Sequence, residues 1–348
     1  MNYKFFTNSE KAWEAMFRDI TNAQKSIYLE MYIFQNDMEQ FNFFNLLKEK
    51  AQKGLQVKII IDAFGSVWLK SSAVSELKKA GIEILTLSYL LHHMHRKVLV
   101  VDERIAFIGG VNLYQTARFW NDLMVRIKGN LVKKVVMSFA KSYTNAGGKD
   151  PMLLSKNNRR TRTKMDTSIV EHHPFKKKFH FKGMYKKYFN QAEKNITLIT
   201  PYFLPKRWLA AALHQAVLRG VRVEVLVPKN AGNFMIDRVN YFYIYKLSRL
   251  GIEFHMEEKM NHAKAIIIDQ REAMVGSQNL DFWSFDFNSE IGIFFRDAKA
   301  VSKLCYIASE WKKDAVLFDY KIHKPKWFDY IMSPIINLFS FFSRIFLD

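Results

Sequence analysis

Cysteine is almost absent from this chain of 348 residues, because Cys305 is its single example. An intramolecular disulfide needs two cysteines, and a zinc site built on thiolates needs more than one. Both are therefore excluded. A chain without disulfides is typical of a reducing compartment, and the cytoplasm is the compartment we expect.

Acidic residues are also scarce, since 33 Asp and Glu face 53 Lys and Arg and leave a formal net charge of +20. A basic surface attracts polyanions, which here means nucleic acid, an anionic membrane leaflet or a phosphate-bearing substrate. Charge alone does not choose among them. The hydrophobic fraction of 49% is ordinary for a folded globular protein and argues against a disordered chain.

A long apolar run is missing from residues 1–20, which are interrupted by charged side chains throughout. A signal peptide needs a continuous apolar core, and a membrane-spanning helix needs about 20 apolar residues. Neither is expected at this end of the chain.

The chain repeats itself instead. Residues 54–61, GLQVKIII, return as residues 220–227, GVRVEVLV, and further matched segments keep the same order at nearly the same distance. β-branched runs follow helical stretches at residues 43–53 and 208–219, with Gly54 and Gly220 at the junctions, where a left-handed helix cap is needed. This pattern predicts an α/β protein of two homologous halves, each a mixed sheet flanked by helices, packed with pseudo-two-fold symmetry.

Two stretches fall outside the repeat. We expect the first half at residues 1–148, a basic linker at 149–180, the second half at 181–320 and a basic, aromatic tail at 321–348. The linker is interpreted either as solvated chain, in which His172 and His173 face water, or as a basic surface for lipid headgroups or a nucleic-acid backbone.

One spaced motif occurs in both halves. The first copy is His95, Lys97, Asp102, Gly109 and Asn112, and the second is His262, Lys264, Asp269, Gly276 and Asn279. The intervals within the two copies are identical, and the offset between the histidines is 262 − 95 = 167. Five specified residues at fixed spacing arise by chance roughly once in a million positions or less, so the duplicated match is a strong signal.

The motif has a chemical interpretation. Apolar residues after each lysine predict a strand, and residues two apart on a strand share a face, so His95 and Lys97 point the same way. A turn at residues 102–104 and a second strand at residues 105–108 then bring Asn112 alongside. Exchange of a phosphodiester through a covalent intermediate needs a nucleophile and a proton donor, and the two halves together supply two histidines.

Each histidine also needs an acceptor that fixes its tautomer. Asp122 follows the first histidine at an offset of 122 − 95 = 27, and Glu290 follows the second at an offset of 290 − 262 = 28. Their matching placement predicts a shared role.

These residues resemble the HxKxxxxD motifs of the phospholipase D superfamily over nearly the whole chain up to about residue 320. Flanking segments such as residues 30–34, EMYIF, and 119–122, FWND, are similar to the bacterial cardiolipin synthase branch. The resemblance implies that His95 is the nucleophile and that His262 is the acid and base. It further implies catalytic roles for Lys97, Asp102, Lys264 and Asp269, phosphate binding by the lysines, Asn112, Asn279 and Ser277, and histidine orientation by Asp122 and Glu290.

Two departures accompany the resemblance. The Gly-Ser pair of the motif is Gly109-Gly110 in the first half, so a hydroxyl is expected only from Ser277. The membrane-spanning N-terminal helices of many cardiolipin synthases are not expected here. Residues 334–347 predict instead a short helix with one narrow polar stripe, which either lies in the membrane interface or docks on the protein.

The functional hypotheses are therefore a phosphatidyl transferase of the cardiolipin synthase type, a phospholipase D hydrolase, or a nuclease of the same superfamily. Partners are an anionic phospholipid substrate and a membrane surface, with nucleic acid as the alternative. No cofactor and no metal is expected, because the histidines at 92, 93 and 95 have no carboxylate or cysteine at ligand spacing.

Overall fold

The computed structural model describes residues 2–87, 92–157, 166–174, 180–327 and 330. The predicted tail helix at residues 334–347 and the basic positions 159, 160, 162, 164 and 176–178 of the expected linker lie outside the described residues. None of the helices in the described ranges carries an apolar stretch long enough to cross a bilayer.

The first half alternates strands with helices. Its strands are β1 (Asn2–Asn8), β2 (Ser26–Met31), β3 (Gln56–Asp62), β4 (Glu83–Leu87), β5 (His93–Met94), β6 (Val98–Val101), β7 (Ile105–Gly109) and β8 (Asn121–Lys128). Its helices are α1 (Ser9–Thr21), α2 (Phe43–Gln52), α3 (Ser71–Lys79) and α4 (Leu131–Asn145). All of these strands except β5 form a seven-stranded mixed sheet in the order β1-β8-β7-β6-β2-β3-β4.

The second half repeats this plan. Its strands are β9 (Thr167–His172), β10 (Asn195–Ile199), β11 (Phe203–Leu204), β12 (Arg222–Pro228), β13 (Glu253–Glu257), β14 (Ala265–Ile268), β15 (Glu272–Gly276), β16 (Leu280–Asp281), β17 (Asn288–Phe295) and β18 (Ala315–Leu317). Its helices are α6 (His180–Gln191), α7 (Arg207–Leu218), α8 (Phe234–Ser248), α9 (Phe282–Asp286) and α10 (Ala298–Lys313), and α5 (Pro151–Asn157) lies between the halves.

The two sheets have the same internal order. The second sheet runs β18-β13-β12-β10-β14-β15-β17-β5, with β9 also paired to β17, and β11 pairs with β16 separately. Its central series β17-β15-β14-β10-β12-β13 corresponds to β8-β7-β6-β2-β3-β4 of the first sheet. The predicted α/β architecture of two repeated halves is confirmed.

The motif strands form the predicted hairpins. Strand β6 pairs antiparallel with β7, and β14 pairs antiparallel with β15. Each turn begins with two residues at positive φ, Asp102 and Glu103 at 52° and 53° and Asp269 and Gln270 at 51° and 54°. Two consecutive positive φ angles define the tight turn that matches the twist of an antiparallel hairpin.

Alternation along these strands builds three core layers. Val98 and Val100 belong to an inner cluster to which both halves contribute, whereas Leu99 and Val101 pack beneath α1 and α2 on the outer face. Helices α4 and α10 also pack into the inner cluster, and the second half has its own outer cluster beneath α6 and α7. Because both faces of each central strand are covered, the strands read as continuous apolar runs.

The expected linker contains regular structure. Strand β9 pairs antiparallel with β17 along its whole length and thereby joins the second sheet. His172 is fully buried and His173 is 9% exposed, so the expectation that both face water is wrong. The apolar periodicity of β9 is weak because Ser168 and Glu171 interrupt it, and its pairing strand is distant in the sequence, which explains why the strand was missed.

The left-handed helix caps are as predicted. Gly54 follows α2 with φ of +86°, and Gly220 follows α7 with φ of +85°. Only glycine adopts this conformation without cost, so each one ends its helix and releases the chain into the next strand.

Candidate active site

His95 and His262 lie just before β6 and β14, at the edge where β2 and β10 end, and both are nearly buried. Nδ1 of His95 lies 3.0 Å from Oε1 of Glu290 and 3.1 Å from its Oε2. Nδ1 of His262 lies 2.8 Å from Oδ2 of Asp122. Each ring is therefore held by a carboxylate of the opposite half.

The backbone of each histidine is also hydrogen-bonded to the opposite half. The N–H of His95 donates to the carbonyl of Ser289 at 3.0 Å, and the N–H of His262 donates to the carbonyl of Asn121 at 2.7 Å. Ser289 and Asn121 directly precede the two carboxylate residues. Backbone and ring are thus fixed together, which leaves each imidazole little freedom to rotate.

This bonding pattern assigns the tautomers. A carboxylate accepts, so Nδ1 of each ring carries the proton and donates it. Nε2 is then left with its lone pair, on the side of the ring away from the carboxylate. A neutral imidazole in this tautomer can act as a nucleophile or as a base.

Two buried lysines accompany the histidines. Nζ of Lys97 donates to the carbonyl of His95 at 2.7 Å, and Nζ of Lys264 donates to the carbonyl of His262. Nζ of Lys97 also lies 4.8 Å from the ring centre of Tyr32. The lysines act electrostatically on each other and on both histidines, as expected of a single cluster.

Burial and positive charge suppress protonation of this cluster. Burial, together with the charges of Lys97 and Lys264, holds the pKa of His95 well below its usual range. Burial and Lys264 lower the pKa of His262 to about 4, against the opposing effect of Asp122. The free site therefore carries neutral imidazoles at neutral pH.

The pKa values of the two lysines and of Glu290 are shifted in the same sense. Burial lowers the pKa of Lys264 to about 8 and also lowers that of Lys97 well below its usual value. Burial raises the pKa of Glu290 to about 7, although Lys97 acts in the opposite direction. Each of these shifts disfavours the charged form of its group. A bound anion would raise the lowered pKa values of the two lysines most directly, because its charge is opposite to theirs.

The two asparagines flank the cluster. Oδ1 of Asn112 accepts from the N–H of Ile33 at 3.2 Å. The backbone N–H of Asn279 donates to Oγ of Ser284 at 3.2 Å, and its own Oδ1 is buried with no donor in reach among the described residues. Both side chains are nearly buried beside the site.

The two halves differ at the glycines. A Cβ at Gly110 would lie 2.3 Å from Oδ1 of Asp122 and 3.2 Å from the carbonyl of His262. At the equivalent position, Ser277 is accommodated because its partner is the longer Glu290, whose carboxylate accepts from the serine Oγ. The Gly109-Gly110 sequence of the first motif thus goes with the shorter Asp122, and the Gly-Ser sequence of the second motif goes with the longer Glu290.

Ser277 was expected to bind phosphate, and the structure gives it another role. Its Oγ donates to Oε2 of Glu290 and accepts from the N–H of Ile291 at 3.1 Å. With both functions used inside the protein, the hydroxyl orients Glu290, and the phosphate contact stays a prediction.

Asp102 and Asp269 were expected to be catalytic, and the structure places them at the far ends of β6 and β14. Asp102 accepts from the N–H groups of residues 24, 25 and 26, and Asp269 accepts from those of residues 193, 194 and 195. The intervening strand separates each from its histidine by roughly 15 Å or more. They fix a turn to the start of the neighbouring strand, and the structure does not bring them to the histidines.

Several residues at the site were given no role by the sequence analysis. Oγ of Ser284 and Nδ2 of Asn288 donate to Oε1 of Glu290 at 2.9 and 3.3 Å. The ring of Tyr32 stands edge-on to His95 at 4.7 Å, and Trp120 lies 5.8 Å from His262. The repeated aromatic positions after β2 and β10 hinted at Tyr32, but no spacing rule indicates Ser284.

Two repeated halves that hold one another's histidines, with a lysine beside each, define a protein of the phospholipase D-like class. Residues 16–143 and 185–310 match the family described as "Cardiolipin synthase, PLD-like domain". The chain belongs to this family.

Curated relatives carry the same name. The chain is 29% identical over 324 residues to "Probable cardiolipin synthase YwiE" of Bacillus subtilis, covering 87% of this chain and 64% of that protein. It is 30% identical over 323 residues to a "Cardiolipin synthase" of Listeria welshimeri, covering 86% and 67%. The chain thus spans about two thirds of the length of these relatives.

Solved structures share the fold. The "phosphatidylserine synthase" of Haemophilus influenzae superposes with a TM-score of 0.77 at 14% identity, covering 99% of this chain and 93% of that chain. The "Polyphosphate Kinase" of Porphyromonas gingivalis superposes with a TM-score of 0.64, covering 97% of this chain and 53% of that one. At these identities the likeness shows the fold alone.

Proposed function

We propose that the protein is a phosphatidyl transferase of the cardiolipin synthase type, which acts on phosphatidylglycerol or a related phospholipid through a covalent phosphohistidine. The observation that carries this proposal is the exchange of carboxylates between the halves, Glu290 on His95 and Asp122 on His262. It presents two imidazoles, each in the same tautomer, to one electropositive site. The relatives named as cardiolipin synthases support the choice of substrate.

The first step transfers the phosphatidyl group to the enzyme. Nε2 of His95 attacks the phosphorus of the first lipid, and the bond from phosphorus to the headgroup oxygen breaks. His262 gives a proton to that leaving oxygen, so free glycerol departs when the lipid is phosphatidylglycerol. The pKa of His262 is lowered to about 4 in the free site, and the bound phosphodiester anion raises it by offsetting the two lysine charges.

The second step reverses these roles. The hydroxyl of a second lipid gives its proton to His262, and its oxygen attacks the phosphorus. The bond between phosphorus and Nε2 of His95 breaks, which regenerates the free histidine and releases the new phosphodiester. If both lipids are phosphatidylglycerol, the product is cardiolipin.

Four further side chains stabilise the charge. Lys97 and Lys264 neutralise the non-bridging oxygens, and Asn112 and Asn279 donate amide hydrogens to them, in the place where negative charge accumulates during transfer. The lysine positions, one beside each histidine, support this role.

The acceptor decides between transfer and hydrolysis. Exclusion of water favours the lipid alcohol, whereas access of water would make the enzyme a phospholipase D. A nuclease is the second candidate, favoured by the net charge of +20. We also propose that the protein works at the cytoplasmic side of a bacterial membrane as a peripheral protein.

Product identity tests the proposal. Pure protein is incubated with phosphatidylglycerol vesicles and, separately, with single- and double-stranded DNA, and the products are identified by mass spectrometry. We expect cardiolipin and glycerol in equal amounts, with no turnover by His95→Ala or His262→Ala and ordinary turnover by His214→Ala on α7. Phosphatidic acid as sole product would indicate the hydrolase, and cut DNA with unchanged lipid would indicate the nuclease.

A further inference from the structure

Several large apolar side chains stand in solvent near the site. Phe64, Val67, Trp68, Phe119, Phe234 and Met235 are between 56% and 78% exposed, and we name them the apolar collar. Exposed apolar residues scattered singly are normal on proteins, but a grouped set rimmed by polar residues marks an interaction surface.

The three segments of the collar all follow strands at the edge that bears the histidines. Phe64, Val67 and Trp68 follow β3, Phe234 and Met235 follow β12, and Phe119 follows β7 and precedes Trp120, which contacts His262. Strand β3 is parallel to β2, and β12 is parallel to β10, so the ends of these strands lie at one edge of each sheet.

Direct contacts tie the first segment to the site. Oδ2 of Asp62 accepts from the N–H of Met94 at 2.7 Å, next to His95. The ring of Phe64 lies 5.0 Å from that of His93, which in turn lies 6.4 Å from Trp283 of the second half. The loop after β3 therefore reaches across to residues of the opposite half beside the catalytic cluster.

Both halves contribute to the collar. Val67 and Trp68 lie in the turn between β3 and α3, and Phe234 and Met235 begin α8, which follows β12. Each half thus places exposed apolar side chains between a central strand and the helix that follows it.

Positive charge adjoins the collar. Lys70 is exposed two residues after Trp68, and the guanidinium of Arg118, which also pairs with Glu10, lies 5.0 Å from the ring centre of Phe119. These side chains stand where an anionic surface would meet them if the collar were covered.

Three carboxylates near the collar are engaged inside the protein. Asp62 accepts from backbone N–H groups of its own loop, and Asp237 accepts from the N–H of Ala231 at 2.8 Å. Asp286 pairs with Lys206. Their charges are therefore offset by internal donors and oppose an anionic surface less than free carboxylates would.

The geometry points to the apolar collar as the surface that docks on an anionic lipid bilayer. The apolar side chains enter the interface while Lys70 and Arg118 meet the headgroups, so that a phospholipid reaches the buried histidines without crossing water. This inference rests on the proposed function, because a lipid substrate is what requires such a surface. It assigns membrane contact to the catalytic face itself, independently of the tail at residues 321–348.

Paired variants test the collar in the full chain. We compare Val67→Ser/Trp68→Ser and Phe234→Ser/Met235→Ser with the control Leu218→Ser/Tyr306→Ser. Leu218 and Tyr306 are 65% and 55% exposed, on α7 and α10. Leu218 ends the helix that leads into the start of β12, and the length of that strand, roughly 20 Å, separates it from the collar segment.

Sedimentation with phosphatidylglycerol vesicles is the first measurement. Each collar variant should bind roughly tenfold more weakly or worse, and the control should bind as the wild type does. Unchanged binding by both collar variants would overturn the inference. So would variants that keep vesicle binding but lose binding to single-stranded DNA, because the collar would then stack bases.

Turnover separates this inference from the proposed function. Collar variants should lose at least tenfold on vesicles and at most about threefold on a short-chain phosphatidylglycerol dissolved as monomers. Equal losses on both substrates would mean that the collar acts on chemistry and would contradict docking. If the wild type turns over neither lipid, the proposed function fails, while the sedimentation result still decides on the collar.

Fluorescence gives a second measurement that does not depend on weakened binding. Vesicles with brominated acyl chains quench only tryptophans that enter the bilayer. Trp68→Phe should bind normally and lose a distinct share of the quenching seen in the wild type. If Trp68→Phe shows the same quenching as the wild type, Trp68 does not enter the membrane and the inference is wrong.

Discussion

Glu290 of the second half accepts a hydrogen bond from Nδ1 of His95 of the first half, at 3.0 Å. The reciprocal bond joins Asp122 of the first half to His262 of the second at 2.8 Å. Each half therefore carries one motif histidine but not the acid that orients it. Assembly of the two halves fixes both imidazoles, and any loss of their register would disturb both at once.

Glu290→Gln should lower kcat for lipid turnover by about 100-fold or more. Glu290 accepts hydrogen bonds from Ser277, Ser284 and His95. In the glutamine variant an NH2 group replaces one carboxylate oxygen, so one of these donors would face another donor. Steady-state kinetics on vesicles measures the effect, with Glu310→Gln on the exposed part of α10 as the matched control. A kcat within a factor of about three of the wild type would show that orientation by Glu290 is unimportant.

Asp269→Asn should lower stability and spare the chemistry. Although burial alone would raise it, hydrogen bonds from the N–H groups of Glu193 and Asn195 lower the pKa of Asp269. Because the folded pKa is depressed, this stabilisation is present above the unfolded pKa and is lost as pH falls through the folded value. Replacement should cost about 1 to 3 kcal/mol at neutral pH, measured by urea unfolding.

The corresponding kinetic measurement separates the two interpretations of this residue. The activity of Asp269→Asn, normalised to folded protein, should stay near the wild-type value. A specific loss as large as that of His262→Ala, in protein shown to be folded, would return Asp269 to the catalytic residues.

Binding of tungstate should weaken above pH 8. The pKa of Lys264 is about 8 in the free site, because burial disfavours its charge. A bound anion raises that pKa, so above pH 8 binding must take up a proton and the affinity should fall about tenfold per pH unit. Isothermal titration calorimetry measures this slope, and Lys264→Arg should flatten it because a guanidinium keeps its charge. An affinity independent of pH between 7 and about 9.5 would place Lys264 outside the anion site.

Gly110→Ala should disrupt the first half of the site. The added Cβ would lie 2.3 Å from Oδ1 of Asp122, so the carboxylate that holds His262 has to move. We expect a stability loss of about 1 to 3 kcal/mol together with a large fall in kcat. Gly183→Ala is the control, because a Cβ at that position of α6 meets nothing within 4 Å. Equal stability and equal kcat in the two variants would contradict the close packing around Asp122.

Much of the fold was predictable because its signals are local. The runs of residues 57–61 and 221–227 predicted β3 and β12, the two glycines marked the helix ends, and the duplicated motif predicted both hairpins. Period, capping and spacing act within about a dozen residues, so they can be read from the chain directly.

The exchanged contacts could not be predicted in the same way. Asp122 and Glu290 were recognised as orienting acids by their nearly equal distances from the two histidines, but that similarity does not say which acid serves which ring. The pairing of His95 with Glu290 depends on how the halves pack, because the two residues are far apart in the sequence. Likewise, the motif aspartates share the spacing of the catalytic residues, and only the length of β6 and β14 shows that they lie elsewhere.

The most direct test of the shared site uses a phospholipid analogue with a p-nitrophenol leaving group, which needs no proton from His262. His262→Asn should release one equivalent of nitrophenol and then stop, because the base for the second step is gone, and peptide mass spectrometry should find the phosphatidyl group on His95. His95→Asn should release none. A burst from His95→Asn, or an adduct on any residue other than His95, would contradict the account.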